Sequence, residues 1–277
     1  MFVFQWYYRR LGFQRSPEQN YGVDKLSETN SLERMLAVLD LFSEDRLEWT
    51  SEEMMAQLGY SRPTLYRYLK TLRQNGMLAS INNAGFTLGP KIVEMDFLLR
   101  RSDPLVLESK PILSEIAEKY KCTSYISRWY RTRVLCVENA TASPVPEGSY
   151  PRGRLIPLGR GATSRAILAF LPNRQAEPLI ASCLDEFRSV EFGDSVEEVL
   201  LRLREIRKAG VAVAHGELTT NVIGFASPVF DSGRTPVASL SVTIGYARVD
   251  QEAINAITVD VKVAAAQLSE RLAARKR

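Results

Sequence analysis

The hydrophobic pattern of residues 50–89 predicts two short helices followed by a hairpin. In the second helix, apolar residues recur at helical spacing, and the residues between them are basic or hydrogen-bonding, with no acid among them. Ser61 is predicted to cap this helix through its hydroxyl, Pro63 suits its first turn, and Gly76 ends it. The predicted buried stripe consists of Leu65, Tyr68, Leu69 and Leu72.

The segments on either side of this basic helix complete a recognisable order of elements. Thr50 and Glu53 have the spacing of a capping box, which predicts the start of the preceding helix. After Gly76, apolar runs at 77–81 and 86–88 are joined by a polar, glycine-containing turn over residues 82–85. A helix, a tight turn, a basic helix and a hairpin in this order predict a winged helix-turn-helix that binds DNA.

Two further helices are predicted around this unit. Asn30 and Glu33 are spaced as the cap of a first helix. The helix predicted at 91–101 has apolar residues on more than one face and needs cover on more than one side, so we expect it to pack against its counterpart in a homodimer. The predicted core stripe of the first helix consists of Leu32, Met35, Leu36, Leu39 and Phe42.

The second half of the chain alternates predicted strands and helices. Most of the strands are expected to be antiparallel neighbours, and a long closing helix begins at Asp250. An antiparallel sheet flanked by helices predicts an α+β fold that binds a ligand. The expected divisions are a disordered extension over 1–28, a winged helix-turn-helix DNA-binding domain over 29–89, a linker helix over 90–103 and an effector-binding domain over 104–277.

Composition narrows the class of protein. With 277 residues, 45% hydrophobic and 25% charged, the chain has the composition of a globular protein, and its net charge of +4 is compatible with nucleic acid. The three cysteines form no metal-binding pattern, and a single histidine excludes multi-histidine sites. We find no paired carboxylates, nucleophile elbow, phosphate loop, signal peptide or membrane span. We therefore expect a cytoplasmic protein that is not an enzyme, with no cofactor and no metal.

Five segments of the sequence resemble the IclR family of bacterial transcriptional regulators. They are SLERMLAVLDLFSEDR, LGYSRPTLYRYLKTLRQNGML, FTLGPKIVEM, IPLGRGATSRAILAFLP and ASPVFDSGRTPVASLSVTI, and they occur in the order and spacing of the family. The resemblance implies a GAF-like effector-binding domain that takes a small organic acid or an aromatic catabolite. It also implies homodimers that often pair into tetramers, and repression or activation of catabolic operons.

The resemblance also implies which residues meet each partner. A run of small residues before a helix and two hydroxyls on one face of the last strand would form the effector pocket, although the same residues can simply permit close packing. Contacts with double-stranded DNA would fall on Ser61, Arg62, Thr64, Leu65, Tyr66, Arg67, Lys70, Asn82 and Asn83. Contacts with the effector would fall on Leu158, Gly161, Ala162, Thr163, Glu217, Ile223, Gly224, Ser241 and Thr243.

The sequence departs from the family around the predicted pocket. Gly159 stands where the family usually has a histidine, and Ser164 stands where it has a glycine. Arg160 and Arg165 make this region basic, which indicates an anionic ligand or simply an exposed surface. Two alternatives stay open at this point: a metabolite-binding enzyme using Glu217 for acid-base chemistry, and a protein-interaction module built on the same domain.

Overall fold

The computed structural model describes residues 30–81, 85–142, 148, 150–233 and 235–275. The chain divides into two compact units, one ending at Leu98 and the other beginning at Leu99. The extension predicted over 1–28 lies outside the described residues, and so do Asn82 and Asn83.

The first unit contains the predicted helices and hairpin. Its strands form an antiparallel sheet in the order β1-β3-β2, so the hairpin is extended by a short strand that precedes the second helix. The helices are α1 (Ser31–Leu36), α2 (Ser51–Leu58), α3 (Arg62–Gln74) and α4 (Pro90–Ser102), with a 3₁₀ turn at Leu39–Leu41. The strands are β1 (Trp49–Thr50), β2 (Leu78–Ile81) and β3 (Gly85–Leu88).

The core of this unit is built on the predicted stripe of α3. All four stripe residues are buried, and they pack with Val38, Met54 and Phe86. The prediction for α1 was partly wrong, because Leu32 is 67% exposed and Leu36 is 54% exposed. Helix α1 ends at Leu36 and the chain tightens into the 3₁₀ turn, which changes the helical period and buries Val38 instead.

The second unit has an antiparallel six-stranded sheet among its described residues, in the order β6-β5-β4-β9-β8-β7. The strands are β4 (Thr123–Tyr130), β5 (Arg133–Thr141), β6 (Leu155–Ile156), β7 (Ala212–His215), β8 (Val222–Phe230) and β9 (Pro236–Gly245). The helices are α5 (Pro104–Tyr120), α6 (Ala162–Leu168), α7 (Asn173–Ser182), α8 (Leu184–Arg188), α9 (Val196–Ala209) and α10 (Gln251–Ala274).

Each face of this sheet has its own core. Apolar residues of α5 and α10 pack on one face with alternate residues of β4, β8 and β9. On the other face, α6 lies on β7 and β8 through a small cluster of alanines, with α7, α8 and α9 outside it. The predicted α+β fold is therefore observed. Helices α7 and α8 are separate, because the chain breaks at Cys183.

Helix α4 carries several exposed apolar side chains. Phe97 is 56% exposed, Leu98 is 62% exposed and Leu99 is 54% exposed, whereas none of the residues of α4 is buried. That this helix packs against its counterpart in a homodimer stays a prediction. None of the described helices is long and apolar enough to cross a membrane.

Candidate nucleic-acid interface and ligand pocket

Helix α3 presents a basic, hydrogen-bonding face to solvent. Arg62, Tyr66, Arg67 and Lys70 are exposed on it, because the apolar stripe holds the opposite face in the core. The inclusion of Leu65 among the DNA contacts is wrong, because its side chain is 0% exposed and it packs inside the unit. The helical period that places the core stripe therefore also removes Leu65 from the contact surface.

The two helices of the motif begin in different ways. Helix α2 has the predicted capping box, in which the Thr50 hydroxyl accepts from the amide of Glu53 and the Glu53 carboxylate accepts from the amide of Thr50. Ser61 occupies the N-cap position of α3, but its side chain makes no capping bond. Its hydroxyl donates instead to Oγ1 of Thr64 at 3.0 Å, so the predicted capping role of this hydroxyl is wrong.

Helix α3 ends in a Schellman motif. Gly76 has a φ of +69°, its amide donates to the carbonyl of Arg73, and the amide of Met77 donates to the carbonyl of Leu72. The glycine is required because a left-handed residue with a side chain is strained. The reversal leads directly into β2 and fixes the hairpin beside the exposed face of α3.

Tyr66 is held between α2 and α3. Its hydroxyl lies 3.3 Å from the hydroxyl of Ser51, and the guanidinium carbon of Arg62 lies 5.4 Å from its ring centroid. The hydrogen bonds to Ser51 and Arg62 lower the pKa of the phenol. The side chain is still 43% exposed. Tyr66 therefore offers a pre-positioned hydroxyl and ring to a partner.

An open groove of about 580 Å³ lies between α3 and the hairpin. Lys70 and Arg73 stand on its helical wall, and Ser80 stands on its strand wall. Arg73 and Ser80 were not among the predicted contacts, although Arg73 follows Lys70 at the i+3 spacing that places both on one face of a helix. The remaining lining residues are Tyr66, Leu69, Gln74, Leu78, Ala79 and Phe86.

In the second unit, five of the predicted effector contacts meet around a small cavity. They come from the start of α6, from the segment after β7 and from the pocket-side face of β8 and β9. The cavity volume is about 20 Å³, which is room for roughly one water molecule. The five residues are Gly161, Ala162, Glu217, Gly224 and Thr243.

The other predicted effector contacts lie elsewhere. Ile223 packs in the core on the opposite face of the sheet, because successive residues of β8 alternate between faces. Leu158 packs against the cluster beneath α7 to α9. The Thr163 hydroxyl lies 3.1 Å from that of Ser241 and 2.8 Å from that of Tyr125, so these hydroxyls satisfy each other below the cavity.

Arg165 and Glu217 form a buried ion pair. The guanidinium is 2% exposed, it donates to both carboxylate oxygens of Glu217 at 2.7 Å, and its carbon lies 3.7 Å from the ring centroid of Phe192. Burial lowers the pKa of Arg165, and the charge of Glu217 opposes that shift. Glu217 also accepts from the amide of Gly161 at 2.8 Å. The interpretation of Arg165 as an exposed arginine is therefore wrong.

The departure at Gly159 has a local explanation. A Cβ atom at this position would lie 2.6 Å from Cβ of Glu186, and the Gly159 amide donates to the Glu186 carboxylate at 2.9 Å. A histidine at position 159 would therefore collide with α8. Ser164 is buried, and its hydroxyl donates to the carbonyl of Pro157 at 2.6 Å.

Several lining residues of the cavity were not predicted. Tyr125 lies on the cavity-facing side of β4, and Tyr150 lies between β5 and β6, outside the helices and strands. The alternation of residues along β4 could have identified Tyr125 as a lining residue, because it shares a face of the strand with Thr123 and Ser127. Tyr150 belongs to no periodic element, so no pattern in the sequence indicates it. The others are Ala214, Leu218, Thr219 and Val222.

The cysteines and the histidine contribute no reactive centre to this cavity. Burial raises the pKa of each of the three thiols to about 12, so they remain protonated at neutral pH. His215 is exposed and stacks on Tyr246 with ring centroids 5.4 Å apart. No group of side chains that could hold a metal ion occurs within the described residues.

Comparison with known proteins matches both units of the chain. Residues 99–270 match the family model for the bacterial transcriptional regulator IclR C-terminal region, and residues 31–80 match the IclR helix-turn-helix domain. The regulator KipR of Bacillus subtilis is 24% identical over 241 residues, which is 86% of this chain and 95% of KipR.

Two solved structures show the same fold. A Silicibacter regulator superposes with a TM-score of 0.78 at 21% identity, covering 88% of this chain and 96% of that one. An IclR homologue from Microbacterium hydrocarbonoxydans, solved in complex with 4-hydroxybenzoate, superposes with a TM-score of 0.72 at 20% identity, covering 88% of this chain and all of that one.

Proposed function

The chain belongs to the IclR family of bacterial transcriptional regulators, and we propose that α3 and the hairpin bind operator DNA while the second unit binds a small-molecule effector. The protein is a DNA-binding helix-turn-helix regulator. The observation that carries the proposal is the exposed face of α3, where basic and hydrogen-bonding side chains stand opposite a fully buried stripe.

The side chains of this surface suit different parts of a duplex. Arg62, Arg67 and Lys70 neutralise phosphates or donate to guanine, and Thr64 and Tyr66 offer hydroxyls to base edges or phosphates. Arg73 and Ser80 border the groove beside the hairpin, and we assign them to the phosphate backbone. Ser61 belongs to the same surface, and Asn82 and Asn83 are proposed as contacts at the hairpin tip.

A salt titration tests DNA binding directly. The affinity of the full chain for the DNA upstream of its own gene is measured at increasing salt, with a scrambled duplex of equal length as the control. We expect log affinity to fall linearly with log salt, because bound cations are released from neutralised phosphates. Failure to bind the upstream DNA at low salt would contradict the proposal.

The cavity in the second unit is proposed as the effector site. It is lined by hydroxyls, by the start of α6 and by the Glu217 carboxylate, and one structural relative was solved with a small organic acid. The ion pair with Arg165 occupies the carboxylate that an acid-base enzyme would need, so nothing in the cavity favours catalysis. The proposed contacts include Gly161, Ala162, Gly224 and Thr243, with Thr163 and Ser241 supporting them.

The exposed apolar surface of α4 is proposed to pack against a second copy of the chain. Five large apolar side chains of this helix are at least 44% exposed, which is unfavourable for a helix left in water. A homodimer would place two recognition helices on a two-fold symmetric site, as operator recognition requires. Light scattering at micromolar concentration tests this, and a monodisperse monomer would contradict it.

We propose that effector binding controls DNA binding by changing the arrangement of the two recognition helices in the dimer. Coupling of this kind needs differential affinity of the effector for two arrangements. The test is to measure operator affinity and footprint with and without a compound shown to bind the second unit. An effector that binds but changes neither quantity would rule out the coupling.

A further inference from the structure

Two tyrosines fill the part of the pocket that a ring-shaped ligand would need. The rings of Tyr125 and Tyr150 are stacked, with centroids 4.4 Å apart and planes inclined by 13°. Both side chains are buried, and both line the cavity. The space that they leave is about 20 Å³, whereas a cavity of roughly 150 Å³ is needed to hold benzene. The size of the pocket is therefore set by these rings.

Both members of the pair are anchored. The hydroxyl of Tyr125 lies 2.8 Å from that of Thr163, which holds the ring against α6. The carbonyl of Tyr150 accepts from the side-chain amide of Asn139 at 2.6 Å and from the thiol of Cys136 at 3.1 Å. These bonds tie the backbone of Tyr150 to β5. The backbone of Tyr150 is thus fixed by β5, and its ring forms part of the cavity wall.

Gly148 lies beside the ring of Tyr150. A Cβ atom at Gly148 would lie 3.4 Å from the Tyr150 ring and 3.6 Å from the hydroxyl of Thr219, and this glycine has a φ of +80°. The backbone at Gly148 therefore lies close both to the ring and to the segment that carries Thr219. A larger ligand cannot enter without moving Tyr150 or this segment.

We propose that Tyr150 sets the size limit of the effector, so that a small displacement of its ring admits a short-chain hydroxy acid, whereas an aromatic acid is excluded. The proposal rests on the effector-binding role assigned to this cavity. The lining supports the ligand class, because the Thr219 hydroxyl can donate to a small carboxylate, and the Thr243 hydroxyl, which lies 3.5 Å from the carbonyl of Thr123, can accept from a ligand hydroxyl. An aromatic acid would have to replace the Tyr150 ring on Tyr125.

Calorimetric titration of the full chain tests this with two pairs of probes. Glycolate and lactate represent short hydroxy acids, and benzoate and 4-hydroxybenzoate represent aromatic acids. Wild type is expected to bind a short acid and neither aromatic acid, and Tyr150→Ala is expected to gain about tenfold or more in affinity for an aromatic acid. Tyr150→Leu is a second opening variant that retains more of the packing if the alanine variant does not fold.

Two controls make the result specific. Tyr150→Phe keeps the ring and should keep the exclusion of aromatic acids. Tyr130→Ala removes a tyrosine of the same unit that is 47% exposed and should change neither affinity. Tight binding of an aromatic acid to wild type, or no gain in the opened variants, would overturn the size limit while leaving the effector site in place. Absence of binding of all four acids to all variants would overturn the proposed site itself.

Discussion

Gly89 approaches Gly76 so closely that a Cβ atom at position 89 would overlap the carbonyl oxygen of Gly76 and lie 2.7 Å from its carbonyl carbon. The same carbonyl accepts from the amide of Lys91 at 3.0 Å, and the Gly89 amide donates to the carbonyl of Met77 at 2.8 Å. These bonds join the end of α3 to the end of the hairpin and the start of α4. The position of the hairpin beside the recognition helix depends on this contact.

Gly89→Ala is expected to destabilise the first unit by about 1–3 kcal/mol, because the added methyl group forces the backbone apart. It should also weaken operator binding in the fraction that stays folded, since the hairpin moves relative to α3. Thermal unfolding and DNA affinity at fixed salt measure the two effects. Gly59→Ala is the control, because its cost is left-handed strain without a clash, roughly 1–2 kcal/mol, and it should leave the hairpin in place. Unchanged stability of Gly89→Ala would contradict the close approach.

The two N-caps predict a difference between two similar substitutions. Thr50→Ala removes the hydroxyl that accepts from the amide of Glu53 and donates to the Glu53 carboxylate, and should cost about 0.5–2 kcal/mol. Ser61→Ala removes a hydroxyl that makes no capping bond, so its cost in stability should be clearly smaller. Urea unfolding of the two variants measures the difference. An equal loss would show that Ser61 caps α3 in solution.

Neighbouring residues of α3 should separate stability from DNA binding. Leu65→Ala opens a cavity in the core and should cost about 2–5 kcal/mol of unfolding free energy. Arg67→Ala should leave the unfolding temperature nearly unchanged but weaken operator binding by about 1–3 kcal/mol, the cost of one lost arginine contact. Operator affinity of Arg67→Ala equal to that of wild type, at the same salt concentration, would remove Arg67 from the interface.

Local patterns predicted most of the fold. Capping boxes at Asn30 and Thr50, the stripe of α3 and the reversal at Gly76 each depend on residues close in sequence, so the chain alone specifies them. The errors have physical causes of the same kind. A short helix followed by a 3₁₀ turn exposed Leu32, and strand alternation placed Ile223 on the far face of the sheet.

The pocket was harder to predict because it depends on long-range contacts. Arg165 and Glu217 are separated by 52 residues, and nothing near Arg165 in sequence indicates that a carboxylate will bury it. Tyr150 lies in a segment without periodicity, and its contact with Tyr125 forms only when β4 and β5 are in place. The resemblance to a family located the start of α6 and the last strand, but it gave no information on the residues that limit the size of the cavity.

The ion pair of Arg165 and Glu217 predicts strong non-additivity. Glu217→Ala leaves a guanidinium buried without its partner and should cost about 3–5 kcal/mol. The double variant Arg165→Met with Glu217→Leu removes both charges and should lose less stability than Glu217→Ala alone. Denaturant unfolding of the variants forms the test, with Lys208→Ala, which breaks an exposed pair, as the control. A double variant less stable than Glu217→Ala would contradict the cost assigned to the unpaired charge.

The buried tyrosines predict how stability depends on alkaline pH. Burial raises the pKa of Tyr125 well above its ordinary value and also raises the pKa of Tyr150. Above about pH 10, tyrosines of the unfolded chain lose protons that the folded chain retains, so the free energy of unfolding falls as pH rises, at about 1.4 kcal/mol per pH unit for each such group. Below pH 10 both states are protonated and the contribution is fully present.

Tyr150→Phe removes one of these groups, so its stability should fall less steeply than that of wild type above about pH 10. Unfolding by urea at a series of alkaline pH values measures the slope. The cysteines also have raised pKa values, but they are present in both proteins and so do not change the difference between the two slopes. Tyr130→Phe, which alters an exposed ring, should follow the wild-type slope. Parallel slopes for wild type and Tyr150→Phe would show that the phenol of Tyr150 is accessible to water. The ring would then be free to leave Tyr125, and the limit on effector size would have to come from another part of the wall.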